Sequence, residues 1–350
     1  MDALATASLI DGDIGTGPFK LRSRTPIIQA DSNDEYYRDR PGLAHVQIIP
    51  YDRQRTAWAA MMRGEVDMLQ EVARESVDFF VGATEISTIS SIRPFYIPLV
   101  FNLRHPILER VEARRALAEA IDREEIVAQA MRGHGMVADD PIWPYNWAYS
   151  AAARRYSHNP GTAALRLDNA GFPVKRGGPG QMASRFRLSC VFWREGPQFE
   201  RIALLLQRQL AVVGIDLELE PLSMPQLQNR VRIGNFDTYL MIMSSGRTFQ
   251  RTYRFWHSPP PTGAEFQYVG YAGADAILDR LRVARSEPEV RAAVADLRQR
   301  FYEDVPAAFL AWPETTRAID SRFRLAEPDD KDIFASIWEW RPASNARAAR

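Results

Sequence analysis

Residues 186–220, FRLSCVFWREGPQFERIALLLQRQLAVVGIDLELE, give the clearest indication of the fold class. Its first part, Phe186–Trp193, is short, apolar and rich in strand-forming side chains, which predicts a strand. A long apolar segment comes next over Gln198–Val213 and stops at Gly214, so we expect a helix with a glycine at its C-terminal end. Over residues 215–220 apolar and acidic side chains then alternate, which predicts a strand with one face in water. Strand, helix and strand in this order indicate an α/β fold.

The same alternation of strands and helices extends through most of the chain. Further strands are predicted at Phe19–Leu21, His45–Pro50, Val66–Leu69, Ile97–Leu103, Asp237–Met243, Ala307–Trp312 and Arg317–Phe323. Further helices are predicted at Thr56–Arg63, Ala73–Gly82, Glu112–Arg132, Asn159–Ala170, Pro225–Ile233, Asp275–Ala284 and Pro288–Asp304. Asp122 is expected to interrupt the region 112–132 and to cap a second helix. The segments 139–156 and 244–271 are predicted loops, the first rich in Trp, Tyr and Pro.

Length and composition indicate a globular protein of two domains. The 350 residues suffice for two domains of ordinary size, and 46% hydrophobic with 25% charged residues is a globular composition. Basic and acidic residues are equal at 44 each, so the basic excess of a nucleic-acid-binding protein is absent. No apolar run is long enough for a membrane-spanning helix. Met1–Thr16 carries three aspartates and no basic segment, so it lacks the pattern of a signal peptide.

Motifs that carry catalysis or bind a metal are missing from the sequence. The five histidines occur singly, without the i, i+4 pair that ligates zinc on a helix, and neither His-Glu-x-x-His nor Gly-x-Ser-x-Gly occurs. Cys190, the one cysteine, lies in a predicted strand, where a buried small hydrophobe is a simpler interpretation than a catalytic thiol. Asp139-Asp140 and Asp329-Asp330 lie beside prolines in predicted loops, so solvated turns explain them more simply than acid–base pairs. The sequence predicts no enzyme, metal or cofactor, although a nucleophile–base pair assembled through space stays open.

Polar and aromatic residues come directly after two predicted strands, at the point where each strand ends. Trp193 and Arg194 end the first, and Ser244, Ser245 and Arg247 come after the second. In open α/β sheets ligands collect at this edge, and small-molecule pockets combine aromatic faces with a few polar groups. The alternative is ordinary packing of Trp193 and a plain loop after residue 243.

Several segments together resemble the family 5 extracellular solute-binding proteins, which include dipeptide-, oligopeptide- and nickel-binding receptors of ABC importers. The most specific is 100–127, with Val-Phe-Asn-Leu-Arg and then Arg-Arg-Ala-Leu-Ala-Glu-Ala-Ile-Asp-Arg. Others are Gly-Thr-Gly-Pro-Phe at 15–19 with Asn33 to Tyr37, Met-Arg-Gly-Glu-Val-Asp at 62–67, Asn-Pro to Ala-Gly-Phe at 159–172, Leu210 to Leu217 with Phe236-Asp237, and Glu-Asp-Val-Pro at 303–306. Their order along residues 15–312 carries the resemblance.

The resemblance implies an α/β, periplasmic-binding-protein-like fold with two lobes, the second nearly complete and the first partial. It implies residues 1–99 as part of the first lobe, 100–310 as the second lobe and 311–350 as a return segment and tail. The chain is expected to cross between lobes near Val100–Asn102 and Phe309–Trp312, which adds Asn102 and Trp312 to the candidate ligand contacts. It further implies a small-molecule or peptide ligand, an ABC permease as partner, no nucleic acid, a monomer, and a periplasmic or extracytoplasmic location.

Two departures from the family pattern bear on the ligand. Family members have a long segment before the Gly-Thr-Gly-Pro turn, whereas this chain starts about fifteen residues before it. After the strand at 237–243 the chain has Ser244-Ser-Gly-Arg247 in place of the Trp and Asp-Pro elements. In peptide-binding members an acidic group in that region receives the amino terminus of the ligand. Arg247 there favours an anionic ligand group instead.

Three alternatives to a transport receptor stay open. The chain could be the ligand-sensing part of a transcription regulator, for which this sequence contains no helix-turn-helix. It could be an incomplete binding protein without ligand function, because the missing N-terminal portion builds one wall of the cleft. An enzyme is the remaining class, and no local motif supports it.

Overall fold

A computed structural model describes residues 15–72, 76–77, 80, 84–150, 154–175, 183–258, 269–325 and 333–343. The chain divides into two compact units, one formed by Met1–Ser91 with Thr315–Arg350 and the other by Ile92–Glu314. The chain therefore passes between them twice. The boundaries predicted from the sequence, 99/100 and 310/311, stay a prediction. No helix among the described residues is long and apolar enough to cross a membrane.

Both units mix strands with helices. The strands are β1 (Phe19–Ser23), β2 (Ile28–Ser32), β3 (His45–Ile48), β4 (Met68–Leu69), β5 (Ile86–Ile92), β6 (Phe95–Phe101), β7 (Gly135–Val137), β8 (Phe186–Trp193), β9 (Ile215–Leu222), β10 (Thr238–Leu240), β11 (Met243–Ser244), β12 (Ala307–Asp320), β13 (Phe323–Arg324) and β14 (Arg341–Pro342). The helices are α1 (Gln54–Met62), α2 (Val111–Ala120), α3 (Arg123–Glu125), α4 (Pro160–Asn169), α5 (Pro197–Val212), α6 (Met224–Arg232), α7 (Gln250–Trp256), α8 (Asp275–Val283) and α9 (Glu287–Asp304). A π-helical turn, Ile126–Ala130, continues α3, and a 3-10 segment covers Ile333–Glu339.

The unit of residues 92–314 is built on a mixed sheet in the order β12-β6-β10-β8-β9. Strands β10, β8 and β9 run parallel, and β6 runs antiparallel to β10 and β12. Alternate residues of β6 enter two separate buried clusters, Ile97 and Leu99 in one and Tyr96 and Val100 in the other. The sheet is therefore covered on both faces, which explains why β6 is apolar along its whole length.

Local sequence signals place the helices of this unit. Helix α5 begins with Pro197, whose missing N–H costs nothing in the first turn, and the chain leaves it at Gly214 with φ +79°. The Asp122 carboxylate accepts the Glu125 N–H at 2.8 Å, as the capping prediction requires. After Glu125 the chain continues as a π-helical turn, so the second helix that the sequence predicts is present but changes from α to π geometry.

The other unit contains the three-stranded antiparallel sheet β1-β2-β3, the pair β13-β14, and β4 and β5 on the second half of β12. Its buried side chains form two small clusters, one around Met61, Leu69 and Phe80 and one around Ile319 and Trp340. The predicted helix Ala73–Gly82 lies largely outside the described residues.

Several elements differ from the sequence predictions. The sequence does not predict strands β2, β5 and β7 or helix α7, and the segment Arg317–Phe323 does not form a separate strand. Instead β12 runs unbroken from Ala307 to Asp320. Pro313 does not end it, because a proline removes one donor from a ladder without removing the acceptors, and Pro313 still lies opposite Gly135 of β7.

Candidate functional site

Most of the predicted site residues meet at one edge of the sheet in residues 92–314. Strand β8 ends at Trp193, and the last residue of β10, Leu240, pairs with Phe192 beside it. The next short strand, β11, pairs Ser244 with Phe95, the first residue of β6. Because β6 is antiparallel, its start lies where β8 and β10 end. We call the ends of β8 and β10, residues 241–247 and the start of β6 the carboxyl edge.

Asn102 does not lie at the carboxyl edge. It comes directly after the last residue of β6, and Phe101 pairs with Thr238 at the beginning of β10, which is the opposite end of the sheet. Its side-chain amide donates to Phe236 O at 2.8 Å and to Gly234 O at 3.3 Å, and its Oδ1 accepts the Arg104 N–H. Asn102 thus holds the loop before β10.

Ser245 and Trp312 are at the carboxyl edge but are buried. The Ser245 N–H donates to Pro94 O at 2.8 Å, and its Oγ accepts the Trp143 backbone N–H at 3.1 Å. Trp312 is 2% exposed and packs against Tyr96, with ring centroids 5.3 Å apart. The Tyr96 hydroxyl accepts from Trp256 Nε1 at 2.9 Å, and burial raises the pKa of Tyr96. These residues form the buried layer of the carboxyl edge.

The remaining predicted residues reach the surface to different extents. Arg194 and Arg247 are exposed, and Trp193 and Ser244 are half-buried. Arg194 Nε donates to Glu195 Oε1 at 3.1 Å, so its charge is partly offset by its neighbour. The Trp193 ring packs on Phe199 of α5 with centroids 5.9 Å apart, which agrees with the packing interpretation of this residue. The half-buried and exposed residues of the edge thus include an indole, a hydroxyl and two guanidinium groups.

The sequence does not indicate that the aromatic loop 139–150 joins the same edge. Trp143 donates from its backbone to Ser245 and from Nε1 to Ile92 O at 3.1 Å, and Asn146 Nδ2 donates to Arg247 O at 3.2 Å. Tyr145 is 41% exposed and Trp147 is 48% exposed, so two large aromatic side chains face solvent here. Their unusual density in the sequence is a usable signal, but their place beside residues 244–247 depends on contacts about 100 residues apart.

A buried ion pair anchors this loop to α9. Arg298 Nε donates to Asp140 Oδ2 at 2.6 Å, another Arg298 nitrogen donates to Ser150 O, and the guanidinium lies 4.0 Å from the centroid of the Tyr149 ring. Asp140 also accepts the Ile142 N–H at 2.8 Å. Burial raises the pKa of Asp140, and the positive charge of Arg298 opposes that shift. The contacts of Arg298 therefore hold the aromatic loop against α9.

The chemistry available at the carboxyl edge is that of binding. Aromatic faces, a serine hydroxyl and guanidinium groups recognise a small organic molecule through stacking and charge-assisted hydrogen bonds. Within the described ranges no group of three or more His, Cys, Asp or Glu side chains could hold a metal ion. Cys190 is fully buried in β8, and burial raises its pKa to about 12, so the buried-hydrophobe interpretation fits its surroundings.

The sequence matches a protein family over most of its length. Residues 7–262 match the bacterial extracellular solute-binding proteins, family 5 Middle. Among curated proteins, the chain is 24% identical over 337 residues to the oligopeptide-binding protein AppA of Bacillus subtilis, covering 93% of the chain and 62% of that relative. It is 22% identical to the dipeptide-binding protein of Escherichia coli, covering 65% of the chain and 42% of that relative. The chain thus spans less than two thirds of the length of these relatives.

Solved structures resemble the fold over nearly the whole chain. The substrate-binding protein CtaP of Listeria monocytogenes has a TM-score of 0.82 at 19% identity, covering 96% of this chain and 68% of that one. NikZ of Campylobacter jejuni, solved with Ni(L-His), has a TM-score of 0.77 at 20% identity, covering 97% and 70%. These likenesses confirm the predicted α/β, two-lobed periplasmic-binding-protein fold.

Proposed function

Because the chain belongs to the bacterial extracellular solute-binding proteins of family 5, we propose that it binds a peptide-like or other small solute and delivers it to the permease of an ABC importer. The family assignment confirms the resemblance drawn from the sequence. The family consists of binding proteins, and the two curated relatives bind oligopeptides and dipeptides. The regulator alternative has no counterpart among those relatives.

The observation that carries the proposal is the composition of the carboxyl edge. Half-buried and exposed aromatic rings and guanidinium groups lie at this edge, and its buried residues include Ser245 and Trp312. Aromatic rings supply large contact area at low cost in side-chain entropy, and arginine binds carboxylates with paired hydrogen bonds. This combination fits a peptide-like solute that carries a carboxylate.

The proposal assigns two kinds of role to the residues. Trp193, Arg194, Ser244 and Arg247 contact the ligand, together with the exposed rings of the aromatic loop. Ser245, Trp312 and Asn102 keep the backbone in place and do not touch the ligand. The proposal also includes an extracytoplasmic location, a monomeric state, a permease partner, no nucleic-acid binding and no turnover of the ligand.

The experiment is a thermal-shift screen of the full chain against pools of peptides, amino-acid derivatives and metal chelates. A true ligand stabilises the fold by about 2.7 kcal/mol at one hundred times its dissociation constant. Hits are then titrated calorimetrically with the unchanged protein and with Arg247→Ala. Arg232→Ala, an exposed arginine on α6, is the matched control.

Arg247→Ala is expected to weaken an acidic ligand about tenfold or more, since hydrogen bonds to charged groups are worth about 1.5–3 kcal/mol. The control variant is expected to bind like the unchanged protein. Equal affinity in all three proteins would show that Arg247 does not contact the ligand. A screen in which no pool stabilises the chain would contradict the proposed function itself.

A further inference from the structure

An open recess of about 460 Å³ lies among α2, α4 and α9, within residues 92–314. Its lining shares no residue with the carboxyl edge. The charged groups of the lining are Arg115, Arg154, Arg155, Arg166, Glu119 and Glu303. The lining thus contains four guanidinium groups and two carboxylates.

Two of the arginines are fixed in a balanced network. Arg166 binds both oxygens of Glu119 at 2.9 and 2.7 Å and Glu112 Oε2 at 2.5 Å. Arg115 binds the other Glu112 oxygen at 2.7 Å and donates to Glu303 O at 2.7 Å. Burial alone would raise the pKa of Glu112, but the hydrogen bond from Arg166 and the charge of Arg115 hold it below its usual range. The positive charges of Arg115 and Arg166 are therefore balanced by the negative charges of Glu112 and Glu119.

Glu303 is also partly compensated, since Arg300 Nη1 lies 3.9 Å from its Oε2 and Gln299 donates to its Oε1 at 2.7 Å. Arg154 and Arg155 are left as the excess charge. Both are exposed at the recess, and neither forms a hydrogen bond or ion pair with a residue in the part of the chain that the structure describes. Adjacent guanidinium groups of this kind can donate paired hydrogen bonds to the oxygens of an anion.

Two further features of the lining favour an anion. Helix α4 begins at the recess, where Asn159 and Thr162 belong to the lining, and the N-terminal end of a helix carries partial positive charge. The two tyrosines of the lining, Tyr156 and Tyr302, add no negative charge. Tyr156 stacks on Tyr302 with ring centroids 4.7 Å apart, its hydroxyl donates to Tyr302 O at 2.9 Å, and burial raises its pKa to about 12.

We propose that this recess is a second ligand site, which binds a small multivalent oxyanion through Arg154 and Arg155. Arg115 and Arg166, held by their ion pairs with Glu112 and Glu119, line the other side of the site. The site is separate from the carboxyl edge and does not depend on the solute proposed to bind there.

The test is calorimetric titration of the full chain at low ionic strength with pyrophosphate and citrate as multivalent probes and acetate as the monovalent probe. Arg154→Ala/Arg155→Ala is the test variant. Arg53→Ala/Arg55→Ala removes the same number of charges from the exposed N-terminal end of α1 and is the matched control. Circular dichroism and thermal midpoints confirm that each variant is folded.

We expect pyrophosphate and citrate to bind the unchanged protein and the control with affinities that agree within about twofold. The Arg154→Ala/Arg155→Ala protein is expected to bind at least about tenfold more weakly, because two charged hydrogen-bond donors are lost. Acetate should bind none of the proteins measurably. The proposal is overturned if neither multivalent anion binds, if acetate binds as well as they do, or if the control variant loses affinity equally.

Discussion

Asp140 and Arg298 form an ion pair of 2.6 Å between Oδ2 and Nε, with side chains only 5% and 4% exposed. The two residues are 158 positions apart, and the pair joins the aromatic loop to α9. Charges buried to this extent are stable only when each has its partner.

Arg298→Ala is expected to lower the free energy of unfolding by about 3–5 kcal/mol, because it leaves the Asp140 carboxylate buried without its counter-charge. Urea unfolding monitored by circular dichroism measures the change. Arg280→Ala, which breaks the exposed Arg280–Asp296 pair between α8 and α9, should cost no more than about 1 kcal/mol. Combining Asp140→Asn with Arg298→Met should cost less than the sum of the two single changes. Additive losses would mean that the pair is not coupled.

Ser245→Ala is expected to cost about 1–3 kcal/mol, because it leaves the buried Trp143 N–H without an acceptor. It should also alter tryptophan fluorescence in the folded protein, since Trp143 lies directly on the lost contact. Ser244→Ala is the control, because the Ser244 side chain is only half-buried. The positioning role of Ser245 is wrong if the two variants have the same unfolding midpoint.

Cys190 is expected to resist a thiol reagent such as DTNB at pH 8 in the folded protein and to react fully in urea. Burial raises its pKa from an ordinary value of about 8.5 to about 12. The unfolded chain therefore loses its thiol proton at a lower pH than the folded chain. The contribution of Cys190 to stability is present below about pH 8.5 and declines as the pH rises from there toward 12. Rapid, complete labelling of the folded protein at pH 8 would contradict this account.

Gly196→Ala is expected to destabilise the turn between β8 and α5 by about 1–3 kcal/mol. An added Cβ would lie 2.6 Å from Phe199 Cδ2 and 2.9 Å from Trp193 Cε3, and both are atoms of rigid rings. Gly161→Ala in the first turn of α4 is the matched control. Its Cβ would meet only Asn159 Oδ1, at 3.4 Å, so unfolding midpoints should be unchanged or higher. Equal destabilisation by both changes would exclude the packing explanation.

The elements that could be predicted are those whose signals are local. The strand–helix–strand over 186–222 is predictable from apolar runs, Pro197 and Gly214. Helix α7 is missed because its N-cap residue, Phe249, provides no side-chain cap, and β2 is missed because Ile-Gln-Ala-Asp-Ser has weak strand preference.

The candidate site could be predicted only in part. The residues at the ends of β8 and β10 are predictable as ligand contacts from the sequence, because parallel strands bring their carboxyl ends to one edge of the sheet. Asn102 is a candidate because the resemblance implies a lobe crossing near Val100–Asn102, and the antiparallel direction of β6, which places it at the opposite end of the sheet, cannot be read from the apolar sequence. The hydrogen bonds of Trp143 and Asn146 to residues 245 and 247 depend on tertiary packing, which no local pattern encodes.

The place of β6 in the sheet has a consequence for the order in which the protein can be completed during synthesis. Strand β6 emerges from the ribosome before its neighbours, yet it lies between β10, which ends at residue 240, and β12, which begins at residue 307. Residues 97–100 therefore keep one edge without a partner until more than 300 residues have been translated. A nascent chain that stalls before that point exposes an apolar strand edge, the kind of surface that other chains pair with and that chaperones protect.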